Sequence, residues 1–294
     1  MNFRQQFNKY VDFINYWLER ILPLESPAAG CVCDAMKYSL IGGGKRLRPV
    51  LTLAVCEMFG GKLEHAVCFA CAVEYIHVGS LIHDDLPCMD DDDLRRGKPS
   101  CHVKYDEATA VLAGDGFFLS AFEILTLAKN FDLDDDKILK ACKLLSKMSS
   151  FCGMVGGQDM DMLLEKNGTD WEKVEIMSQY KTSSLIQAAC CLGAIAAGAD
   201  ECQTKIINKY ALALGLAFQA RDDILDVVGD QGVLGKPVGS DAKKRKANNM
   251  SILGLDRAEK KARQYTQAAL LELNKLSRNQ FLLDLTEFLL TRDR

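Results

Sequence analysis

An all-α fold is predicted by three features of the sequence. Apolar residues recur at three- and four-residue steps, alternating runs bounded by hairpin turns are absent, and Gly or Pro stands at the breaks in the period. The first segment shows the pattern: Phe3, Phe7, Tyr10, Val11, Ile14, Leu18 and Ile21 fall on one helical face, and Pro23 ends it. The same period recurs over 31–41, 48–59, 63–83, 104–129, 136–155, 172–197, 203–228, 256–276 and 278–291. Between these segments stand Gly42 to Gly44 with Pro49, Gly60-Gly61, Pro87 with Gly97 to Pro99, Gly168, and the loop from Gly229 to Gly239. No Pro-rich or Ser/Gly-rich run divides the chain into unlike parts and no solenoid repeat occurs, so residues 1–294 read as one domain.

Composition narrows the function. With 48% hydrophobic and 26% charged residues, there is apolar material for a large core. A net charge of −4 leaves no basic face for nucleic acid. The N-terminal MNFRQQFNKYVDFINYW lacks the apolar centre of a signal peptide, and no apolar run approaches the roughly 20 residues of a membrane span, which predicts a cytoplasmic protein. The 12 Cys are scattered and a chain this long needs no covalent staples, so most are expected to be small buried hydrophobes. Cys68 and Cys71 form a C-x-x-C pair inside the apolar AVCFACAVEYIHV, with no second pair at zinc-finger spacing.

The strongest local feature is His83-Asp84-Asp85-Leu86-Pro87-Cys88-Met89-Asp90-Asp91-Asp92-Asp93-Leu94-Arg95-Arg96-Gly97, directly after the apolar Val78, Leu81 and Ile82. Asp84 falls at the C-terminal end of a predicted helix, where the helix dipole disfavours an anion. A divalent cation relieves that strain; hard Mg²⁺ takes one or two carboxylates, with water and substrate phosphate completing its octahedron. The second feature is Phe218-Gln219-Ala220-Arg221-Asp222-Asp223-Ile224-Leu225-Asp226, inside the periodic ALALGLAFQARDDILDVV. Gln219, Asp222 and Asp226 are three and four apart and project from one helix face. Either cluster alone reads equally as a solvated acidic face. Together they can hold several Mg²⁺ around one diphosphate.

The pair resembles the first and second aspartate-rich motifs, DD-x4-D and DD-x2-D, of the trans-prenyl diphosphate synthases. The resemblance covers the whole chain: GGGKRLRP at 42–49, EYIHVGSLIHDDLPCMDDDDLRRGKPSCH at 74–102, GGQ at 156–158, KTSSLI at 181–186, and GLAFQARDDILDVVGD with LGKPVGSD across 215–241 stand in the family's order. The four-residue spacer of the first motif is similar to the bacterial farnesyl and the bacterial and plant geranylgeranyl branches. The resemblance implies a helical bundle around a deep central pocket and a homodimer. It also implies a condensation of an allylic diphosphate with isopentenyl diphosphate that depends on Mg²⁺, three ions per site, and releases pyrophosphate.

Residue by residue, the resemblance implies Asp84, Asp85, Asp90 and Asp222 as metal ligands. Lys45, Arg48, His77 and Arg96 would hold the isopentenyl head group, and Arg95, Lys181 and Lys236 the allylic one. These residue types suit the task, since Arg offers a rigid fork and Lys a point charge to a departing polyanion. Lys181, Thr182 and Gln219 would form the catalytic group, the Thr182 and Gln219 oxygens stabilising a carbocation, with released pyrophosphate as the base. The chain departs from the family after Lys246, where a Thr and, two residues on, a Pro are replaced by Asn248 and Met250.

Product length reads two ways. Whole-chain resemblance favours a fifteen-carbon farnesyl product. Gly79, five residues before the first motif, replaces the Tyr of farnesyl-forming enzymes about 7 Å below Asp84, which favours a deeper pocket and a twenty-carbon geranylgeranyl product unless Phe117 and Phe118 refill it. A non-catalytic subunit would be expected to lack one aspartate motif, and a class I terpene cyclase would have no use for a second diphosphate site at Lys45, Arg48 and His77.

Overall fold

The computed structural model describes residues 1–21, 25–167, 170–228 and 248–291. Helix α1 (Phe3–Leu18) starts in a reciprocal cap, in which Asn2 accepts from the Gln5 amide and Gln5 accepts from that of Asn2. There follow α2 (Gly30–Ile41), α3 (Leu47–Met58), α4 (Leu63–Asp84), a minimal hairpin β1 (Leu94–Arg95) and β2 (Lys98–Pro99), α5 (Cys101–Lys104) and α6 (Glu107–Thr126). A 3-10 turn (Leu127–Phe131) leads to α7 (Asp135–Ser149), α8 (Met154–Asn167) and α9 (Trp171–Ser178). A π turn (Gln179–Ser183) joins α9 to α10 (Ser184–Ala197), and α11 (Glu201–Val228), α12 (Asn249–Leu253), α13 (Leu255–Leu273) and α14 (Gln280–Thr291) complete the described chain.

The order of burial follows the sequence. Helix α4 is apolar on nearly every side and lies at the centre, packed on α3, α6 and α10, while α11 packs on α10 and α13. Phe69, Tyr75, Leu51, Leu53, Phe117 and Leu185 are fully enclosed in the joint core, each large apolar side chain contributing about 1.5–3 kcal/mol relative to exposure. Six of the cysteines, Cys56, Cys68, Cys71, Cys101, Cys190 and Cys191, are buried there, and four, Cys31, Cys88, Cys152 and Cys202, are exposed. Burial pushes the Cys68 thiol up to about 12, so the C-x-x-C pair is inert packing.

Three expectations change in detail. The segment 136–155 is broken around Ser150 to Gly153, the segment 172–197 is interrupted by the π turn, and the 94–99 hairpin is present although no alternating run announces it. Two helices are also long and apolar enough to cross a membrane, α4 with mean hydropathy 1.5 and α6 with its 3-10 extension at 1.6. The α4 window is 78% buried, as a core helix should be, whereas the α6 window is only 39% buried. Pro23 and the loop from Gly229 to Gly239 lie outside the described residues.

Candidate active site

A cavity of about 820 Å³ opens between the C-terminal half of α4, the hairpin, α8, the π turn and α11. Its first wall is built where α4 stops. After Asp84 the backbone folds back on the helix end: the Asp90 amide donates to the Asp84 carbonyl at 2.8 Å and the Asp92 amide to that of Asp85 at 3.2 Å. The spacer is thus a closed loop that returns Asp90 beside Asp84, and Asp84, Asp90 and Asp92 all line the cavity. The hairpin then turns on Arg96 (φ 54°) and Gly97 (φ 75°), the pair of positive angles that suits a tight two-residue turn. It sends Arg95 and Arg96 back toward the same space.

Asp85 stands apart from the other predicted ligands. It is 2% exposed and does not line the cavity. Arg95 Nε donates to its two oxygens at 3.0 and 3.1 Å, with Nη2 closing the fork. Burial alone would lower the Arg95 pKa, but the hydrogen bonds and charge of Asp85 raise it above the ordinary value. The second aspartate of the motif therefore aims a cation.

A basic corner faces this wall. Arg46 caps α3 from a left-handed conformation (φ 50°) and is a fixed part of the fold, donating to Asn15 Oδ1 at 3.0 Å, Glu74 Oε1 at 2.8 Å and the Leu40 carbonyl at 2.6 Å. Just beyond it, Arg48 Nη1 lies 3.3 Å from His77 Nε2 on α4, and Arg96 Nη1 donates to the Gly43 carbonyl. Lys45, Arg48, His77 and Arg96 share this corner of the cavity. Burial lowers the Arg48 pKa to about 10, which leaves it a cation. Burial, followed by the charges of Arg48 and Arg96, holds the His77 imidazole well below its usual pKa, so it is neutral. Arg48 Nε is buried without a partner among the described residues, a donor that a bound anion would satisfy.

The third wall is the π turn, a distortion often found at functional sites. It is held by two close helix approaches. A Cβ on Gly157 of α8 would meet the Lys181 amide nitrogen at 2.0 Å, and one on Gly215 of α11 would meet Ser183 Oγ at 2.4 Å. Only glycine at both places lets the turn seat. Seated there, it directs Lys181 onto Asp161, Nζ to Oδ2 2.5 Å, and Thr182 onto Gln219, Oγ1 to Oε1 2.6 Å. Asp161, 5% exposed and lining the cavity, went unseen in the sequence, where it is one acid among several along α8.

On α11, Gln219, Asp222 and Asp226 line the cavity as their spacing requires. Asp223, 2% exposed, accepts from Gln219 Nε2 at 2.8 Å and from Asn249 N and Nδ2 at 2.9 and 2.7 Å. No group of three or more His, Cys, Asp or Glu is preassembled for a metal among the described residues. That fits Mg²⁺, which takes one or two carboxylates and completes its shell with water and phosphate. Asp84, Asp90 and Asp222 offer hard oxygens on facing walls. Lys236 and Lys246 lie outside the described residues.

Gly79 is not an opening. A Cβ there would lie 2.9 Å from Phe117 Cβ, 3.1 Å from Phe118 Cε1 and 3.2 Å from the Gly114 carbonyl. The glycine lets α4 and α6 cross closely; Phe117 is buried, and Phe118 lines the cavity with its ring against that of His83. The space that a missing aromatic ring would have left on α4 is filled from α6.

Known proteins share this architecture. Farnesyl diphosphate synthase of Escherichia coli K12 is 43% identical over 281 residues, 94% of this chain and 93% of that one. A crystal structure of an FPP/GFPP synthase from Zymomonas mobilis superposes with a TM-score of 0.87 at 34% identity, covering 99% of each chain. The geranyltransferase of Helicobacter pylori, solved with magnesium and isoprenyl diphosphate, gives a TM-score of 0.85 at 33% identity over 97% of this chain and 95% of its own. With the polyprenyl synthetase family model matching residues 30–281 as well, the chain belongs to the polyprenyl synthetase family and is a prenyltransferase.

Proposed function

We propose that the enzyme condenses dimethylallyl and then geranyl diphosphate with isopentenyl diphosphate, head to tail, and releases farnesyl diphosphate and pyrophosphate. The observation that carries the fifteen-carbon product is the Phe118 ring, which lines the cavity and packs over Gly79, five residues before Asp84 on α4, and so limits the depth available to a growing tail. The similarity to the Escherichia coli farnesyl diphosphate synthase supports the same length.

The residues divide the work by position. Arg95, aimed by Asp85, and Lys181, aimed by Asp161, hold the allylic diphosphate, with Lys236 as a further expected grip. Lys45, Arg48, His77 and Arg96 hold the isopentenyl diphosphate, the neutral imidazole serving as a hydrogen-bond donor between charged guanidiniums. Asp84, Asp90 and Asp222 would hold three Mg²⁺, whose charge would stabilise the departing diphosphate. The allylic C–O bond breaks with its electron pair leaving on the diphosphate. The π electrons of the isopentenyl double bond then form the new C–C bond, and a proton passes to the released pyrophosphate. Thr182 and Gln219 turn oxygen toward the transient cation, while apolar Met177, Phe218 and Leu225 keep water from quenching it.

A homodimer is part of the reading. On the outer side of α6, Leu112 (54% exposed) and Leu119 (75% exposed) stand one above the other at a seven-residue step, with the exposed Asp115 and Glu123 close by, and exposed leucines so spaced on a long helix suit a second copy of itself.

The test is incubation with isopentenyl diphosphate and dimethylallyl, geranyl or farnesyl diphosphate, followed by product chromatography, with light scattering on the same sample. A fifteen-carbon product from the two shorter primers, none in chelator, recovery with Mg²⁺, and a dimer mass are expected. A twenty-carbon main product would remove Phe118 as the floor, and full activity in chelator would remove the mechanism.

A further inference from the structure

The residues that depart from the family after Lys246 do not leave the site unsupported. Asn248 caps α12, its Oδ1 accepting from the Ser251 amide at 2.9 Å while Ser251 Oγ accepts from the Asn248 amide at 2.9 Å, the role a Thr would fill. Asn249, 5% exposed, points the other way and donates twice to Asp223. From there hydrogen bonds run without a break to the cavity: Asn249 to Asp223, Gln219 to Asp223, Thr182 to Gln219.

The chemistry of the middle member sets the direction of the rest. An ionised carboxylate only accepts, so the Gln219 face toward Asp223 must be its NH₂, and its carbonyl oxygen must face Thr182. The Thr182 hydroxyl has one proton, and donating it to that carbonyl leaves its lone pairs for the cavity. With the amide reversed, Gln219 would donate to Thr182 and free the hydroxyl proton to point at the cation. Asn249 meets the second oxygen of Asp223 twice, through its backbone amide at 2.9 Å and its side-chain amide at 2.7 Å, and the side-chain bond is the one that depends on which residue stands at 249.

We propose that Asn249 is a positioning residue for cation formation: through Asp223 it fixes the Gln219 amide, and so turns the Thr182 oxygen lone pairs toward the allylic carbon. This rests on the cation-stabilising roles given to Thr182 and Gln219 above.

The experiment is a double-mutant cycle on the full chain between Asn249→Leu, which removes the side-chain donor at similar volume, and Thr182→Val. Turnover, both KM values and the fraction of allylic diphosphate captured by water as allylic alcohol are read together, beside the melting temperature. Asn249→Leu alone should lower turnover about tenfold with both KM values within about twofold, and raise the alcohol fraction several-fold. In the Thr182→Val background it should cost almost nothing further. Asn249→Ser, which keeps a donor, should stay within about threefold of the parent. Equal losses in both backgrounds, or an unchanged alcohol fraction, would overturn the inference. If Thr182→Val alone were silent, the reading beneath it would fall instead. If Asn249→Leu does not fold, the isosteric Asp223→Asn, which lets the Gln219 amide reverse, takes its place in the cycle with the same expected outcomes.

Discussion

In the doublet at the end of α4, Asp84 lines the cavity and Asp85 is turned out of it onto Arg95; in the doublet on α11, Asp222 lines the cavity and Asp223 binds Gln219 and Asn249. In each pair one carboxylate is committed to partners within the protein, although Asp223, unlike Asp85, also borders the cavity. What the inner carboxylate holds differs. Asp85 fixes a guanidinium, a full charge that must already be aimed when a polyanion arrives, whereas Asp223 fixes the dipole of a neutral amide. The backbone differs accordingly: the first motif unwinds so that Asp90 can return beside Asp84, while the second stays helical and relies on its four-residue step. In the proposed reaction the two identical dipeptides would serve its two ends, anion capture and cation protection.

The comparison is broken first at the outer carboxylates. Asp84→Ala and Asp222→Ala should each lower turnover by about 10²-fold or more with melting little changed, because they remove charge stabilisation at the departing diphosphate and little packing. Near-normal turnover in both would show the clusters to be surface decoration. The inner carboxylate comes next: Asp85→Asn keeps the shape but removes the negative charge that pairs with Arg95. It should raise the allylic KM about tenfold and cost about 1–3 kcal/mol of stability, read by steady-state kinetics and denaturant titration. A Mg²⁺ dependence shifted as strongly as in Asp84→Ala would instead make Asp85 a ligand.

Smaller effects lie beneath the motifs. Gly79→Ala should destabilise by about 1–3 kcal/mol through contact with Phe117 and the Gly114 carbonyl, and leave product length unchanged, while Phe118→Ala should lengthen the product. Chromatography that shows the reverse assignment would restore position 79 as the floor. The smallest effect is a titration. The His77 pKa is depressed below 6.5 by burial and by Arg48 and Arg96, so the stability its neutral form contributes is present above 6.5 and is lost as pH falls toward the folded value. Its ring resonances should remain those of a neutral imidazole between pH 8 and about 6. A midpoint at or above 6.5 would show a charged partner for the diphosphate.

Much of this is legible in the sequence, because a helix writes its period there and the cavity-facing residues of α11 obey it. The π turn left no such mark: KTSSLI reads as helix, and one extra residue in a turn does not disturb an apolar pattern that short. Asp85 and Asp223 were hidden for a different reason. Adjacent aspartates look equivalent in a string of letters, and only the fold of the backbone decides which is tied to partners within the protein. Gly79 leaves two readings open, an emptied pocket or one refilled by Phe117 and Phe118, and only the packing of α6 against α4 chooses the second. Asp161 had no motif to announce it, being defined by a lysine 20 positions away.

The seating of the π turn between Gly157 and Gly215 reaches beyond geometry. Three segments far apart in the chain are keyed to one another, so the tolerance of each position to substitution is set by the other two. In a saturation screen read only by growth or product, every variant at Gly157 and Gly215 should score like a loss of Lys181 or Thr182, although neither glycine has a side chain with which to meet a substrate. A map of essential positions drawn that way would trace the socket as well as the tool it holds. Measuring abundance beside activity would tell the two apart, because the socket fails by releasing the fold and the tool fails while the fold stands.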